Sequence, residues 1–154
     1  MKRWIGIDPG ASGAIAMIPE EGDIEIYPLE NGNIRRLCRD WSWDDCICCL
    51  EKVGARPGQG VSSMFTFGRG VGYITGVLES HYIPYQEITP VKWKSEFGCN
   101  LGRDSSTKER KEADIAVCKK LYPNVSLRRT ERCRSDDDGY ADALLMATYA
   151  KRKF

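Results

Sequence analysis

The first twenty residues combine two short apolar runs with a turn between them. Residues 4–7 (WIGI) are typical of a strand covered on both faces, and residues 14–18 predict a second strand. The segment PGASG at residues 9–13 is typical of a tight turn, so the two strands are expected to form an antiparallel hairpin. Asp8 ends the first strand, where it either caps the turn, as Asp often does, or points into a cleft.

The pattern after this hairpin predicts a mixed sheet flanked by helices. Further strands are expected at Ile24–Leu29, in the apolar run before Glu51, and at Ile83–Ile88. Helices are expected at Asn31–Trp43 with Asn33 as N-cap, from Ser62 or Ser63 to about Ser80, from Thr89 over Pro90, from Ser105 or Ser106 to Leu121, and from Asp136–Asp138 onward. The order strand, helix, strand places the fourth strand parallel to the first. The prediction is an α/β fold with a five-stranded mixed sheet whose first three strands are antiparallel.

Carboxylates occur at three separate places in these elements. Glu51 follows the apolar run ICCL at residues 47–50, which repeats the arrangement of Asp8. Asp136–Asp138 and Asp142 form an acidic cluster at the start of the last helix. Nucleases that use two metal ions need carboxylates to converge from distant parts of the chain, because oxygen ligands hold Mg²⁺. These acidic residues are therefore candidate Mg²⁺ ligands.

Three segments together resemble the RuvC-type Holliday junction resolvases, most closely those of bacteriophages, within the ribonuclease-H-like superfamily. The segments are IGIDPGASGAIA at residues 5–16, LEKVGARPGQGVSSMFTFGRGVG at residues 50–72 and DDDGYADALLMATYA at residues 136–150. Their order and separation make the combination more specific than any one of them. The resemblance covers nearly the whole chain and implies one nuclease domain over residues 1–154 with a ribonuclease-H-like fold.

The resemblance also implies a metal centre. Two Mg²⁺ ions, for which Mn²⁺ could substitute, would be held by four carboxylates: Asp8, Glu51, Asp138 and Asp142. The bacterial enzymes carry two acids three residues apart, and the corresponding position here is Gly139. Asp138 lies four residues before Asp142 and shares its helix face, so it is the first choice for the fourth ligand, with Asp137 in reserve.

Positive charge is concentrated in one segment, although the net charge is only +1. Residues 87–134 carry 12 basic and 7 acidic side chains, so phosphate contacts are expected there. The candidate DNA contacts are Phe65, Phe67, Arg69, Lys92, Lys94, Lys108, Arg110 and Lys111. The resemblance implies an aromatic residue that engages the junction centre, here Phe65 or Phe67, and a catalytic lysine, for which Lys108 is the candidate. Taken alone, the run at residues 108–112 (KERKE) is better read as a solvated helix face with Lys/Glu pairs.

Glycines recur every fourth residue in the long central helix, at Gly68, Gly72 and Gly76. This smooth stripe allows another backbone to approach closely, either from the protein's own sheet or from a second subunit. The resemblance implies that the corresponding helix contributes to a homodimer.

Composition narrows the cellular setting. No apolar window approaches the length of a membrane span, and the seven cysteines form no pattern typical of secreted proteins. Zinc is not expected, because the spacing of Cys46, Cys48 and Cys49 is too short and His81 is remote. The expected location is the cytoplasm, or the host cytoplasm if the protein is phage-encoded.

The function favoured by these features is metal-dependent, structure-specific cleavage of four-way or other branched DNA. One alternative is a ribonuclease-H-like nuclease that acts on RNA or simple branches. Another is a junction-binding module without catalysis. The segment DPGASG at residues 8–13 also resembles the phosphate loop of sugar kinases and actin-like ATPases, but those folds need two related domains and 154 residues supply one.

Overall fold

Five strands form one sheet in the order β3-β2-β1-β4-β5. The structure is a computed structural model that describes residues 1–41, 45–55 and 57–154. The strands are β1 (Arg3–Asp8), β2 (Ala14–Pro19), β3 (Glu25–Pro28), β4 (Cys46–Glu51) and β5 (Tyr85–Ile88). Pairing is antiparallel between β1 and β2 and between β2 and β3, whereas β1–β4 and β4–β5 are parallel. The predicted mixed sheet with three antiparallel strands is confirmed.

Helices cover both faces of this sheet. They are α1 (Asn31–Trp41), α2 (Val61–Ser80), α3 (Pro90–Glu96), α4 (Thr107–Leu121) and α5 (Asp138–Lys153). One apolar core joins the sheet to α3, α4 and α5, and the other joins it to α1 and α2. Among the described residues, no helix is both long and apolar enough to span a bilayer.

Strand alternation assigns the carboxylates to one of these faces. Ile5 and Ile7 of β1 pack in the core with α1 and α2, whereas Trp4 packs in the core with α5. Because side chains alternate along a strand, Asp8 belongs to the α5 face. In β4, Cys49 packs on the α5 side, so Glu51 shares that face for the same reason.

Gly6 allows α5 to cross β1 at very short range. A Cβ atom at this position would overlap with the carbonyl oxygen of Ala143 and the backbone nitrogen of Ala147. Gly139 has the same role at the start of α5, where a Cβ would overlap with the carbonyl oxygen of Ser12. These two glycines bring the first turns of α5 against β1 and the turn that follows it.

Several predicted boundaries differ from the structure. Helix α2 begins at Val61 with Gly60 as N-cap, and the Gly60 carbonyl accepts a hydrogen bond from the Met64 N–H at 3.0 Å, so the prediction of a Ser62 or Ser63 cap is wrong. Asn33 lies inside α1, where its side-chain amide donates to the carbonyl of Pro28 at 3.1 Å. The predicted end of α1 at Trp43 lies outside the described residues.

Other helix starts follow their sequence signals. Ser106 caps α4 in a capping box, in which its hydroxyl accepts from the Glu109 N–H and the Glu109 carboxylate accepts from the Ser106 N–H. Thr89 is the N-cap of α3, and Pro90 occupies the first helical position. Strand β5 begins at Tyr85 rather than Ile83, because Ile83 still belongs to the turn that closes α2.

Candidate active site

Asp8 lies at the end of β1 in a largely buried position. Its Oδ1 accepts a hydrogen bond from the N–H of Gly10 at 3.0 Å, within the turn that leads to β2. Burial raises the pKa of the Asp8 carboxyl, the Gly10 hydrogen bond opposes this, and the charges of Asp138 and Asp137 raise the pKa further. Asp8 therefore caps the turn and also lies near other carboxylates. From the sequence alone, these two roles are alternatives.

Glu51 occupies the matching position at the end of β4. Ile7 pairs with Leu50 in the parallel ladder, so Asp8 and Glu51 are the next residues at the same end of adjacent strands. The indole N–H of Trp93 donates to Oε1 of Glu51 at 3.4 Å. Trp93 is completely buried in α3, so it fixes this side of the site to the core.

Asp142 comes from the second turn of α5. Burial raises the pKa of its carboxyl well above the ordinary value, and the charges of Asp114, Asp8 and Glu51 act in the same direction, while Lys94 opposes them. Its Oδ1 atom is buried and has no hydrogen-bond partner in the part of the chain that the structure describes. Partly buried carboxylates from β1, β4 and α5 thus lie close enough to one another for their charges to interact.

This convergence is not a closed ligand cluster. Within residues 1–41, 45–55 and 57–154, no group of three or more His, Cys, Asp or Glu side chains is placed as close together as a metal site requires. Asp8, Glu51 and Asp142 interact through their charges, but ligation of one ion by all of them would need side-chain adjustment.

The two acidic residues at the start of α5 have different surroundings. Asp137 is the N-cap, and its Oδ1 accepts from the N–H of Tyr140 at 3.1 Å. Its carboxylate also forms a two-point ion pair with Arg129, at 2.6 Å from Nε and 3.1 Å from Nη2. Asp138 contacts Nζ of Lys111 at 2.9 Å, and its side chain is 33% exposed. The carboxylate of Asp137 is thus occupied by structural contacts, whereas Asp138 lies beside the other candidate ligands.

Arg129 was not predicted from the sequence, yet it joins two parts of the site. Besides Asp137, its guanidinium donates to the carbonyls of Ser12 and, at 3.3 Å, Gly13, and it lies over the ring of Tyr140. It therefore ties the turn after Asp8 to the start of α5. An arginine in a polar loop carries no periodic signal that could have identified this role.

The predicted cations fall into different environments. The side chain of Lys108 is 84% exposed, and its ion pair is with Glu112 at 3.8 Å on the same helix. Lys111, one turn further along α4, reaches Asp138 instead. The ammonium of Lys94 is largely buried and forms an ion pair with Asp114. Lys92 and Arg69 are exposed.

Two clefts lie near the ends of β1 and β4. A cavity of about 520 Å³ lies between the turn after Asp8 and helix α2, and its lining includes Gly10, Thr66 and Phe67. Phe65 is 69% exposed on the same helix. A second cavity of about 430 Å³ adjoins Glu51 and has basic residues in its lining: Lys52, Lys94, Arg103 and Arg110. Lys52 and Arg103 were not predicted as functional, because single basic residues in loops are common on protein surfaces.

The chain matches no protein-family model and no curated protein. Solved structures of Thermus thermophilus RuvC are similar in fold. One aligns over 97% of this chain and 96% of that chain, with 16% sequence identity and a TM-score of 0.55. Another, of T. thermophilus RuvC in complex with a Holliday junction substrate, aligns over 94% of this chain and 90% of that chain, with 15% identity and a TM-score of 0.60. This chain therefore has the fold of Thermus thermophilus RuvC.

Proposed function

We propose that this protein is a metal-dependent endonuclease that resolves four-way DNA junctions by paired hydrolysis of phosphodiester bonds. The observation that carries the proposal is the convergence of Asp8, Glu51 and Asp142, each partly buried, from β1, β4 and α5. Bringing three partly buried carboxylates together costs folding free energy through desolvation and mutual repulsion, and such arrangements are typical of functional sites. The fold shared with T. thermophilus RuvC, which was solved with a Holliday junction substrate, supports the choice of substrate.

The donor chemistry of the site suits Mg²⁺. The candidate ligands offer only carboxylate oxygens, and no described residue donates a hydrogen bond to the buried Oδ1 of Asp142. In the proposed site, Asp8, Glu51, Asp142 and Asp138 hold two Mg²⁺ ions, for which Mn²⁺ can substitute. Such ions supply Lewis acidity that lowers the pKa of a water molecule and offsets negative charge on the phosphate. Lys111, which contacts Asp138 at 2.9 Å, balances the charge of that carboxylate in the metal-free protein.

The two clefts provide a path for a DNA strand across the carboxylates. We propose that phosphates lie on the basic side, where Lys52, Arg103 and Arg110 adjoin Glu51, and that bases approach Phe67 and Phe65 on the α2 side. Arg69, Lys92, Lys108 and Lys111 remain candidate contacts on the surface around this path. Lys94 also lines the basic cleft, with its ammonium paired with Asp114, and it remains a candidate contact.

Resolution of a four-way junction needs two symmetric cuts, so we propose a homodimer with two-fold symmetry. Added Cβ atoms at Gly68, Gly72 and Gly76 would meet no atom of the described residues within 4 Å. The stripe therefore does not pack against the protein's own sheet, which supports its use between subunits. A single nuclease domain over residues 1–154 and a cytoplasmic location are part of the same proposal.

The proposal is tested by incubating the protein with a four-way junction, a flap, a linear duplex and an RNA–DNA hybrid, each with Mg²⁺ and with chelator. Mg²⁺-dependent cleavage of the four-way junction in preference to the others is expected. Preferred cleavage of the hybrid or the flap would instead favour a nuclease for RNA or simple branches. Tight junction binding with no cleavage in Mg²⁺ or Mn²⁺ would favour a binding module without catalysis.

A further inference from the structure

Helix α1 carries a concentration of positive charge that none of the steps above uses. Its eleven residues include three arginines and a single acid, Asp40. The arginines are exposed, and together with the end of α2 they form a groove of about 340 Å³ whose described lining contains no acid: Gly32, Arg35, Arg36, Arg39 and His81. The sequence predicts positive charge in residues 87–134, so this arginine groove is a separate basic surface.

The arginines face outward because the other side of α1 is buried. Ile34, Leu37 and Trp41 pack in the core that joins α1 and α2 to the sheet. Arg35 and Arg39 are four residues apart, so they lie on one face of the helix, one turn from each other. The groove follows α1 for about 10 Å, since Gly32 and Arg39 are seven residues apart at a rise of 1.5 Å each.

Contacts within the protein neutralise this charge only in part. Arg39 pairs with Asp40 at 3.2 Å, and both of these side chains are largely exposed. Arg36 lies over the ring of Tyr27, 5.4 Å from its centroid, and a neutral ring adds no negative charge. Arg35 forms no hydrogen bond or ion pair with any described residue. A surface that serves only solubility usually mixes both signs of charge, which the lining of this groove does not.

The arginine groove lies next to the cleft beside the Asp8 turn. Glu30 and Ile34 line that cleft, whereas Gly32, which lies between them in the chain, lines the groove. Both depressions therefore adjoin the first turn of α1. DNA that leaves the proposed path over Phe67 on this side would run along the arginines.

The chemistry of the groove fits a nucleic-acid backbone better than a lipid surface. Guanidinium groups bind phosphate oxygens through two parallel hydrogen bonds, and a helix that repeats them can follow successive phosphates. A helix that lies on a membrane inserts its apolar face among the lipids. The apolar face of α1 is not available for this, because it is buried in the core.

We propose that the arginine groove binds the sugar–phosphate backbone of a duplex arm of the DNA junction, with Arg35 as a direct phosphate contact. This inference rests on the proposed function, in which a four-way junction is the substrate. The groove contributes to affinity and to the direction in which the arm leaves the protein. It takes no part in the hydrolysis itself.

The test changes Arg35, which is exposed. Arg35→Ala removes the charge, Arg35→Glu reverses it, and Arg35→Lys keeps it. The matched control is Lys120→Ala, which also removes one exposed positive charge, from helix α4 on the other side of the sheet. Junction binding is titrated in chelator over a range of salt concentrations, the bound DNA is mapped by hydroxyl-radical footprinting, and thermal unfolding verifies each fold.

We expect Arg35→Ala to unfold at the wild-type temperature but to bind the junction about 10-fold more weakly, because a charge-assisted hydrogen bond to phosphate is lost. The slope of log affinity against log salt should fall by about 1 for each subunit that contacts the junction. Arg35→Glu should lose more affinity, and Arg35→Lys should recover most of the slope. Footprints should lose protection along an arm and keep it at the crossover, and Lys120→Ala should bind like wild type.

Three results would overturn the inference: wild-type affinity and slope in Arg35→Ala, an equal loss in Lys120→Ala, or protection lost at the crossover alone. A fourth concerns membranes. If Arg35→Ala loses binding to phosphatidylserine vesicles but binds the junction like wild type, the partner is a lipid surface and the inference is wrong.

The proposed function fails separately. If the wild type cleaves no junction in Mg²⁺ but Arg35→Ala still loses affinity and arm protection, the groove is a DNA-binding surface and the nuclease assignment is wrong. If the wild type cleaves the junction and Arg35→Ala binds and protects it like wild type, the nuclease assignment stands and the groove has no role in DNA binding.

Discussion

Arg129 and Asp137 form a two-point ion pair, with Nε at 2.6 Å and Nη2 at 3.1 Å from the two carboxylate oxygens. The same guanidinium donates to backbone carbonyls of the turn that follows Asp8. The pair thus connects β1 to the start of α5, and it occupies the carboxylate of Asp137. This leaves Asp138 as the acid at the helix start that can serve the proposed metal site.

The first prediction separates these two neighbouring acids. Asp138→Asn should reduce cleavage strongly with little change in stability. Asp137→Asn should keep the N-cap but weaken the pair with Arg129, which lowers the free energy of unfolding by about 1 kcal/mol and leaves most of the activity. Cleavage rates and urea unfolding of both variants check this. Equal activity in the two variants would mean that the fourth ligand is neither, and a greater loss in Asp137→Asn would reverse the assignment.

The second prediction concerns the raised pKa of Asp142. The unfolded chain ionises this carboxyl near its ordinary pKa of 3.8, whereas the folded protein keeps it protonated to higher pH. Its contribution to folding therefore falls as the pH rises above 3.8 toward the folded-state pKa.

Asp142→Asn cannot ionise and should melt at a higher temperature than wild type at pH 7 in chelator, with a smaller difference at pH 5. Thermal unfolding at both pH values is the measurement. Mg²⁺ should raise the melting temperature of the wild type and leave the variant unchanged. A variant that melts below wild type at pH 7, or that gains as much from Mg²⁺, would contradict the role given to Asp142.

The third prediction concerns the open glycine face of α2. Gly72→Leu should prevent dimer formation, because a branched side chain would hold a second helix away from this face. Gly32→Leu is the control, since an added Cβ at Gly32 of α1 also meets nothing within 4 Å. Sedimentation should find dimers for wild type and Gly32→Leu and monomers for Gly72→Leu, with circular dichroism to verify folding. A wild-type monomer at micromolar concentration, alone and on the junction, would rule out the dimer.

The fourth prediction concerns phosphate contacts in the basic cleft. Arg103→Ala and Lys52→Ala should each weaken junction binding and reduce the slope of log affinity against log salt by about 1. Lys108→Ala, whose side chain is mostly exposed and is paired with Glu112, serves as the comparison at a more distant candidate. Binding titrations across a range of salt concentrations give the slopes. An unchanged slope for both cleft variants would place the DNA elsewhere.

The sequence was most informative where a residue conflicted with its surroundings. Asp8 and Glu51 could be selected because each is a carboxylate at the end of an apolar strand, and the parallel pairing of β1 with β4 puts them side by side. The mixed sheet followed from apolar runs and the strand, helix, strand order. These signals are local, so they can be identified in the sequence without knowledge of the tertiary structure.

The remaining features depend on packing between distant elements. Lys92 and Lys94 flank the same tryptophan, and in a helix of seven residues no periodicity indicates that Lys94 is the buried one. Asp137 and Asp138 have the same chemistry, and contacts with distant residues distinguish them: Asp137 pairs with Arg129 and Asp138 pairs with Lys111. The choice of Gly60 over Ser62 as the N-cap of α2 reflects where the preceding loop enters the helix, which residue preferences do not encode.

The central claim is that Asp8 belongs to a site that makes paired cuts in a four-way junction. The most direct measurement uses a supercoiled plasmid that extrudes a cruciform, because two cuts within one complex give linear DNA, whereas a single nick relaxes the plasmid and removes the junction. We predict linear product from the wild type in Mg²⁺, none in chelator, and none from Asp8→Asn, although that variant still binds the junction. Linear product from Asp8→Asn, or only nicked circles from the wild type, would contradict the account.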